Sequence, residues 1–212
     1  MAVYTGKDPG NPHLAEPDDH SLMLAVRAGA TERLAVLFAR HHMGLFNYFR
    51  KLGHTRSNSE DLVQEAFMRI LRYAGSYQPD ANFLPWLYGI ARNTAHEGWK
   101  TTRHDPEPFN DETPAAPSDH EPATAQATRE LERCLEHALL RLPRDKRELI
   151  LLSRVRELSI ADLALLFDCS PGAIKVRLHR SLEQLRIYFD QATGTTTAPH
   201  EPVAPPHSPR QS

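Results

Sequence analysis

In the stretch "DCSPGAIKVRLHRS", residues 168–181, the nitrogen-bearing side chains Lys175, Arg177, His179 and Arg180 fall within one and a half helical turns. Cations placed in this way meet phosphates, and Arg or Lys also offers paired donors to guanine in the major groove. A second set is Trp86, Asn93, His96 and Lys100, which share a face if their segment is helical. An aromatic, an amide and a cation on one face can stack on and hydrogen-bond unpaired bases. Read without context, Trp86 and Trp99 are core aromatics. A third set, Asp61, Gln64, Glu65, Met68 and Arg72, makes a narrow face of mixed sign, which alone reads as the wet side of a helix.

No other constellation carries chemistry. The sequence shows no Ser/His/Asp set, glycine-rich phosphate loop or HExxH pair, so neither catalysis nor a cofactor is expected. Cys134 and Cys169 lack the paired spacing of a zinc site and read as buried small thiols. His41 and His42 are adjacent, so on a helix they point to different sides and chelate poorly, which argues against a His-rich metal-responsive protein.

The formal net charge of −2 hides a segregation. Residues 20–103 hold 11 Lys/Arg against 6 Asp/Glu, and residues 129–190 hold 12 against 10. Between them Asp105, Glu107, Asp111, Glu112, Asp119 and Glu121 occur with no Lys or Arg among them. Two basic bodies and an acidic connector result. The first 19 residues and the stretch from Gln191 are rich in Pro and poor in large apolar side chains, and should stay mobile. No signal-peptide core or membrane-spanning run is present, which reads as a cytosolic protein.

The elements that must position these sets are helices. Leu34, Leu37, Phe38, Leu45, Phe46 and Phe49 recur at helical spacing up to Gly53. In the next helix Leu62, Val63, Ala66, Phe67, Ile70 and Leu71 form a buried stripe, with Ser57 and Glu60 placed as a capping box. A third runs over residues 84–100, its core side made by Leu87, Ile90, Ala91 and Thr94. The second body opens with two helices separated at Pro143. Two more follow, each with a start signal: Ser159 as one N-cap, Ser170 then Pro171 for the other. Short helices joined by the turn "DCS", the second one basic, match a helix-turn-helix, with Ile174, Leu178, Leu182 and Leu185 facing the core.

The order of "EDLVQEAFMRILR", then "FLPWLYGIARN", an acidic spacer, and "LSIADLALLFDCSPGAIKVRLHRSLEQLR" resembles a bacterial RNA polymerase sigma factor of the compact extracytoplasmic-function type. The resemblance spans residues 20–188. It implies an all-α chain of two small helical domains, sigma-2-like over 20–103 and sigma-4-like over 128–190. A flexible acidic linker over 104–127 joins them, and extensions over 1–19 and 191–212 flank them. The implied partners are core RNA polymerase and promoter DNA, with an inhibitory anti-sigma factor as a further partner and no membrane insertion. Carried over residue by residue, the resemblance assigns Asp61, Gln64 and Glu65 to docking on the polymerase clamp. It assigns Phe83, Trp86, Asn93 and Lys100 to recognition and melting of the −10 element, with the loop 76–82 as a pocket for a flipped base. Lys175, Val176, Arg177, His179 and Arg180 go to the −35 element.

Three positions depart from the family's habit: Val176 replaces a small polar residue, and Glu97 and Lys100 replace Asp and Arg. Valine cannot hydrogen-bond a base edge, so it either contacts a thymine methyl or reads nothing. The resemblance implies that the acidic linker passes through the polymerase channel that later holds nascent RNA, with an inert spacer as the alternative. The rival reading is a stand-alone helix-turn-helix regulator, which would need no polymerase and would bind a palindrome as a dimer.

Overall fold

The computed structural model describes residues 17–101 and 123–194, with side chains for 17–98 and 125–194. The helices in order are α1 (Asp19–Arg27), α2 (Leu34–Leu52), α3 (Arg56–Arg72), α4 (Phe83–Thr101), α5 (Ala123–Arg141), α6 (Arg144–Ile150), α7 (Ile160–Leu166) and α8 (Pro171–Thr193). No strand occurs among the described residues, as the helical periodicity requires. Most of the expected linker and of the two extensions, and the side chain of Lys100, lie outside them; where the expected segments overlap the described residues, α1 takes in Asp19, α5 takes in 123–127 and α8 runs on through 191–193. The chain divides into two compact units, one built from α1, most of α2, α3 and α4, the other from α5–α8 with the short segment Arg50–Thr55.

The first unit closes around the apolar stripes. Leu22, Met23, Val26, Leu37, Leu45, Tyr48, Phe49, Ala66, Ile70, Leu87 and Ala91 are all buried. Asp18 caps α1 by accepting from the Ser21 N–H at 2.7 Å, and hydrogen bonding to the Ser21 side chain first and to this N–H second holds its carboxyl below the usual range. Gly53, with φ 99°, ends α2 in the left-handed region where a side chain would be strained. α3 starts one residue before the expected cap, at Arg56. Ser57 is therefore helical, and Glu60 pairs with Arg56 at 3.2 Å instead of closing a capping box. α4 passes close to α3: a Cβ on Gly98 would meet Leu62 Cδ2 at 3.2 Å.

Two expected core residues turn out to be exposed, Phe38 at 40% and Leu71 at 39%. Both sit at the margin of their stripes, where helical spacing alone does not say which neighbour covers them.

In the second unit the break at Pro143 is bridged by a buried cation. Arg147 donates to the carbonyls of Leu139 (2.9 Å), Leu140 (2.7 Å) and Leu142 (3.1 Å), satisfying the orphan acceptors at the end of α5. Burial, and then the neighbouring Arg144, push its guanidinium down to about 10, still a cation at neutral pH. Arg147→Met should keep the bulk yet leave these acceptors bare, costing about 3 kcal/mol or more. Urea unfolding followed by circular dichroism checks this; a midpoint within error of the parent would contradict it.

α6 widens into a π turn over Leu151–Val155 before α7. Ser159 and Asp162 form a full capping box on α7, and Ser170 caps α8 with Pro171 in its first turn. Between them Asp168 takes φ 48°, the left-handed residue of the helix-turn-helix. Ile174 and Leu178 bury the inner side of α8. The cysteines are half-buried, not buried as expected: Cys134 Sγ lies 3.7 Å from the Ala192 carbonyl, and Cys169 belongs to the turn itself.

Candidate nucleic-acid interface

The first unit presents two surfaces. On α3, Asp61 and Gln64 are exposed, and Met68 is 58% exposed beside them. Glu65, expected on the same face, is half-buried and held by Arg69 at 2.6 Å. Arg69 also reaches Glu97 of α4 at 2.7 Å, so one guanidinium ties α3 to α4. These hydrogen bonds, Glu97 first and Glu65 second, raise its pKa further and keep it charged. Next to Gln64 lies an apolar cleft of about 270 Å³ lined by Phe38, Met43, Phe46 and Val63, with Met43 53% exposed. Exposed apolar side chains rimmed by Arg56, Glu60 and Gln64 have the composition of a partner surface. Sequence reasoning missed Phe38 and Met43 because helical spacing assigned the first to the core and gave the second no role.

The second surface is α4 and the loop before it. Phe83 is buried (5% exposed) and cannot itself present a face; it packs under His41, Tyr77 and Trp86. Trp86 is half-buried with its ring edge-on to Tyr77 at 5.1 Å, and Asn93 is exposed two turns further on. The anchor of the loop, unremarked in the sequence, is Tyr77. Its hydroxyl donates to the Ala81 carbonyl at 2.9 Å and lies 2.7 Å from His20 Nδ1. Asp19 in turn pairs with Arg40 (2.9 Å) and His41 (2.7 Å), so α1 is a brace behind the aromatic cluster. The nearest sequence signal was an aromatic in an otherwise polar loop. Gln78, Pro79, Asp80 and Asn82 face outward.

On the second unit, Lys175, Val176, His179 and Arg180 form one exposed strip of α8, and Val176 is 50% exposed. Arg177 differs from expectation: it does not project freely but turns back, its guanidinium 5.3 Å over the Phe167 ring and 3.9 Å from Cys169 Sγ. Position 177 lies at the flank of the helix, where a long side chain covers the adjoining turn. His179 and Glu183 approach to 3.4 Å, both well exposed.

Two helical units, one with a partner-type face beside an aromatic-edged helix and the other a basic helix-turn-helix, define a DNA-binding factor that works against a second macromolecule. Residues 37–104 match the model of sigma-70 region 2 and residues 132–185 that of sigma-70 region 4. The chain is 34% identical over 160 residues to RNA polymerase sigma factor CarQ of Myxococcus xanthus, covering 76% of this chain and 91% of the relative. It is 30% identical to the extracytoplasmic-function sigma factor SigM of Mycobacterium tuberculosis, covering 80% of this chain and 84% of the relative. Among solved structures, CnrH in complex with the cytosolic domain of CnrY shares the fold with a TM-score of 0.62 at 23% identity, covering 82% of this chain and 97% of that one. This chain belongs to the extracytoplasmic-function family of RNA polymerase sigma factors. It binds core RNA polymerase, directs it to promoters and takes part in opening promoter DNA. The stand-alone regulator is not favoured.

Val176 is exposed in the strip of α8 that the sequence resemblance assigns to the −35 element. Its branched side chain offers a methyl contact and no hydrogen bond, so Val176→Ser should change the preferred base at one −35 position. A promoter-library selection with each protein checks this. The same recovered motif for both would show that Val176 reads nothing.

Proposed function

We propose that the three surfaces divide the work of initiation as follows. Asp61, Gln64 and the face they share with Glu65 and Met68 dock on the polymerase clamp. Trp86 and Asn93 of α4, with Lys100 beyond them, engage the −10 element, Phe83 supporting Trp86 from beneath. The loop 76–82 receives an unstacked base, and Tyr77 fixes its shape. Lys175, Val176, His179 and Arg180 meet the −35 element, while Arg177 braces the turn that presents them. The domains carrying these surfaces span 20–103 and 128–190, joined by the acidic segment 104–127. The chain acts in the cytoplasm and has no catalytic chemistry of its own, since polymerase makes the bonds. The observation that supports this reading best is the Glu65–Arg69–Glu97 bridge, which ties α3 to α4 beside both proposed surfaces.

An anti-sigma protein is a further partner in this reading. Two fold neighbours were solved as complexes, CnrH with the cytosolic domain of CnrY and RpoE with the anti-sigma factor NepR from Bartonella quintana. The exposed apolar cleft beside Gln64 suits a helix from such a protein. Transcription from a promoter library by purified core polymerase, with and without this chain, tests the reading. A shared −35 and −10 motif among the chain-dependent start sites is the expected result, and start sites unchanged by the chain would contradict it.

A further inference from the structure

Between α6 and α8 lies a cleft of about 340 Å³ on the flank of the exposed α8 strip. Lys146, Arg177 and Arg180 line it together with the single carboxylate of Asp145, leaving two net positive charges. Lys146 was no part of the basic motif and stands on a different helix. Its ammonium is nevertheless held in place, donating to Gln184 Oε1 at 2.5 Å. Gln184 is itself fixed by donating to the Tyr188 hydroxyl at 2.7 Å, and the Arg141 guanidinium stacks 4.3 Å over the Tyr188 ring. A lysine loses much side-chain entropy when it binds; here that loss has been met within the fold.

Position fixes what such a cation meets. Gln184 follows Arg180 by four residues, so the two are neighbours on one side of α8 and Lys146 sits about one turn beyond Arg180. A recognition helix puts its N-terminal residues at the base edges, here Lys175 and Val176. Groups further along the helix and to its side then come level with the sugar-phosphate backbone at the rim of the groove. A compact point charge is the right chemistry for a phosphate and the wrong one for bidentate reading of a base.

We propose that Lys146, with Arg180, seats one backbone phosphate at the edge of the −35 element. The contact sets the register of α8 on the duplex and is blind to sequence. The proposal rests on the assignment of α8 to the −35 element.

The test uses polymerase holoenzyme assembled with the full chain, its Lys146→Gln variant or its Lys146→Arg variant. Affinity for a preferred promoter and for the same promoter with a scrambled −35 element is measured across a salt series. Each phosphate neutralised contributes about 0.9 to the slope of log affinity against log salt. Lys146→Gln should lower that slope by about 0.9 and weaken both promoters by the same factor, while Lys146→Arg should keep the parental slope. An unchanged slope for Lys146→Gln overturns the proposal even if affinity falls, since a merely loosened α6 would act that way. A loss confined to the preferred promoter also overturns it, because that marks a base reader. If the parent holoenzyme does not distinguish the two promoters, the −35 assignment itself has failed, and this proposal falls with it.

Discussion

Replacing Asp61 and Gln64 together by Lys is expected to weaken binding to core RNA polymerase by about 100-fold or more, while the helical content and melting of the chain stay the same. Both side chains are exposed on α3, so the fold does not depend on them. At an interface each would face a surface suited to a carboxylate and an amide, and a like charge there typically costs several kcal/mol against about 1.4 kcal/mol per tenfold in affinity. Glu65 is a poorer choice for this experiment. Its carboxylate already pairs with Arg69, so reversal would disturb the bridge to Glu97 as well as the docking face. Titration of labelled core enzyme with each protein decides the matter, and equal affinities would remove α3 from the docking surface.

Lys175→Glu combined with Arg180→Glu should leave that polymerase affinity intact and reduce promoter-specific initiation by roughly tenfold or more at saturating core enzyme. A good base contact contributes about 1–3 kcal/mol, and each reversal also sets a carboxylate against the phosphates. Neither residue supports the fold, because Ile174 and Leu178 hold α8 from its other side. Run-off transcription from the preferred promoter is the measurement. Yields equal to the parent's would show that this strip of α8 does not touch the −35 element.

The parts of this molecule that the sequence made legible are those decided by local physics. Ser159, Ser170 and Pro171 are start signals whose partners lie within three residues, and they mark where α7 and α8 begin. The exposed strip of α8 follows from helical geometry once its inner side is known. Signals that depend on distant partners were hidden. Arg69 is one more basic residue in the sequence, and only the packing of α4 on α3 brings Glu97 within 2.7 Å of it. Tyr77 needs His20, 57 residues away, before it can be recognised as the anchor of its loop. Arg147 lies in a charged run, "PRDKRE", that reads as a wet helix start, yet it is 3% exposed because the carbonyls ending α5 require a donor. The Ser57 capping box failed for the converse reason: a correct local pattern was displaced by one residue when Arg56 joined the helix.

In the proposed division of work, core polymerase supplies the geometry with which two separate units read one promoter. A promoter-binding titration with and without core enzyme, paired with a chemical probe for unpaired bases, tests it most directly. The isolated chain should bind the duplex weakly, with little preference between the promoter and a scrambled control, and leave it closed. Addition of core enzyme should give tight, selective binding and reactive bases at the −10 element, a gain that the Asp61→Lys, Gln64→Lys protein loses. Tight and selective binding by the chain alone, unchanged by core enzyme or by that double substitution, would contradict the account.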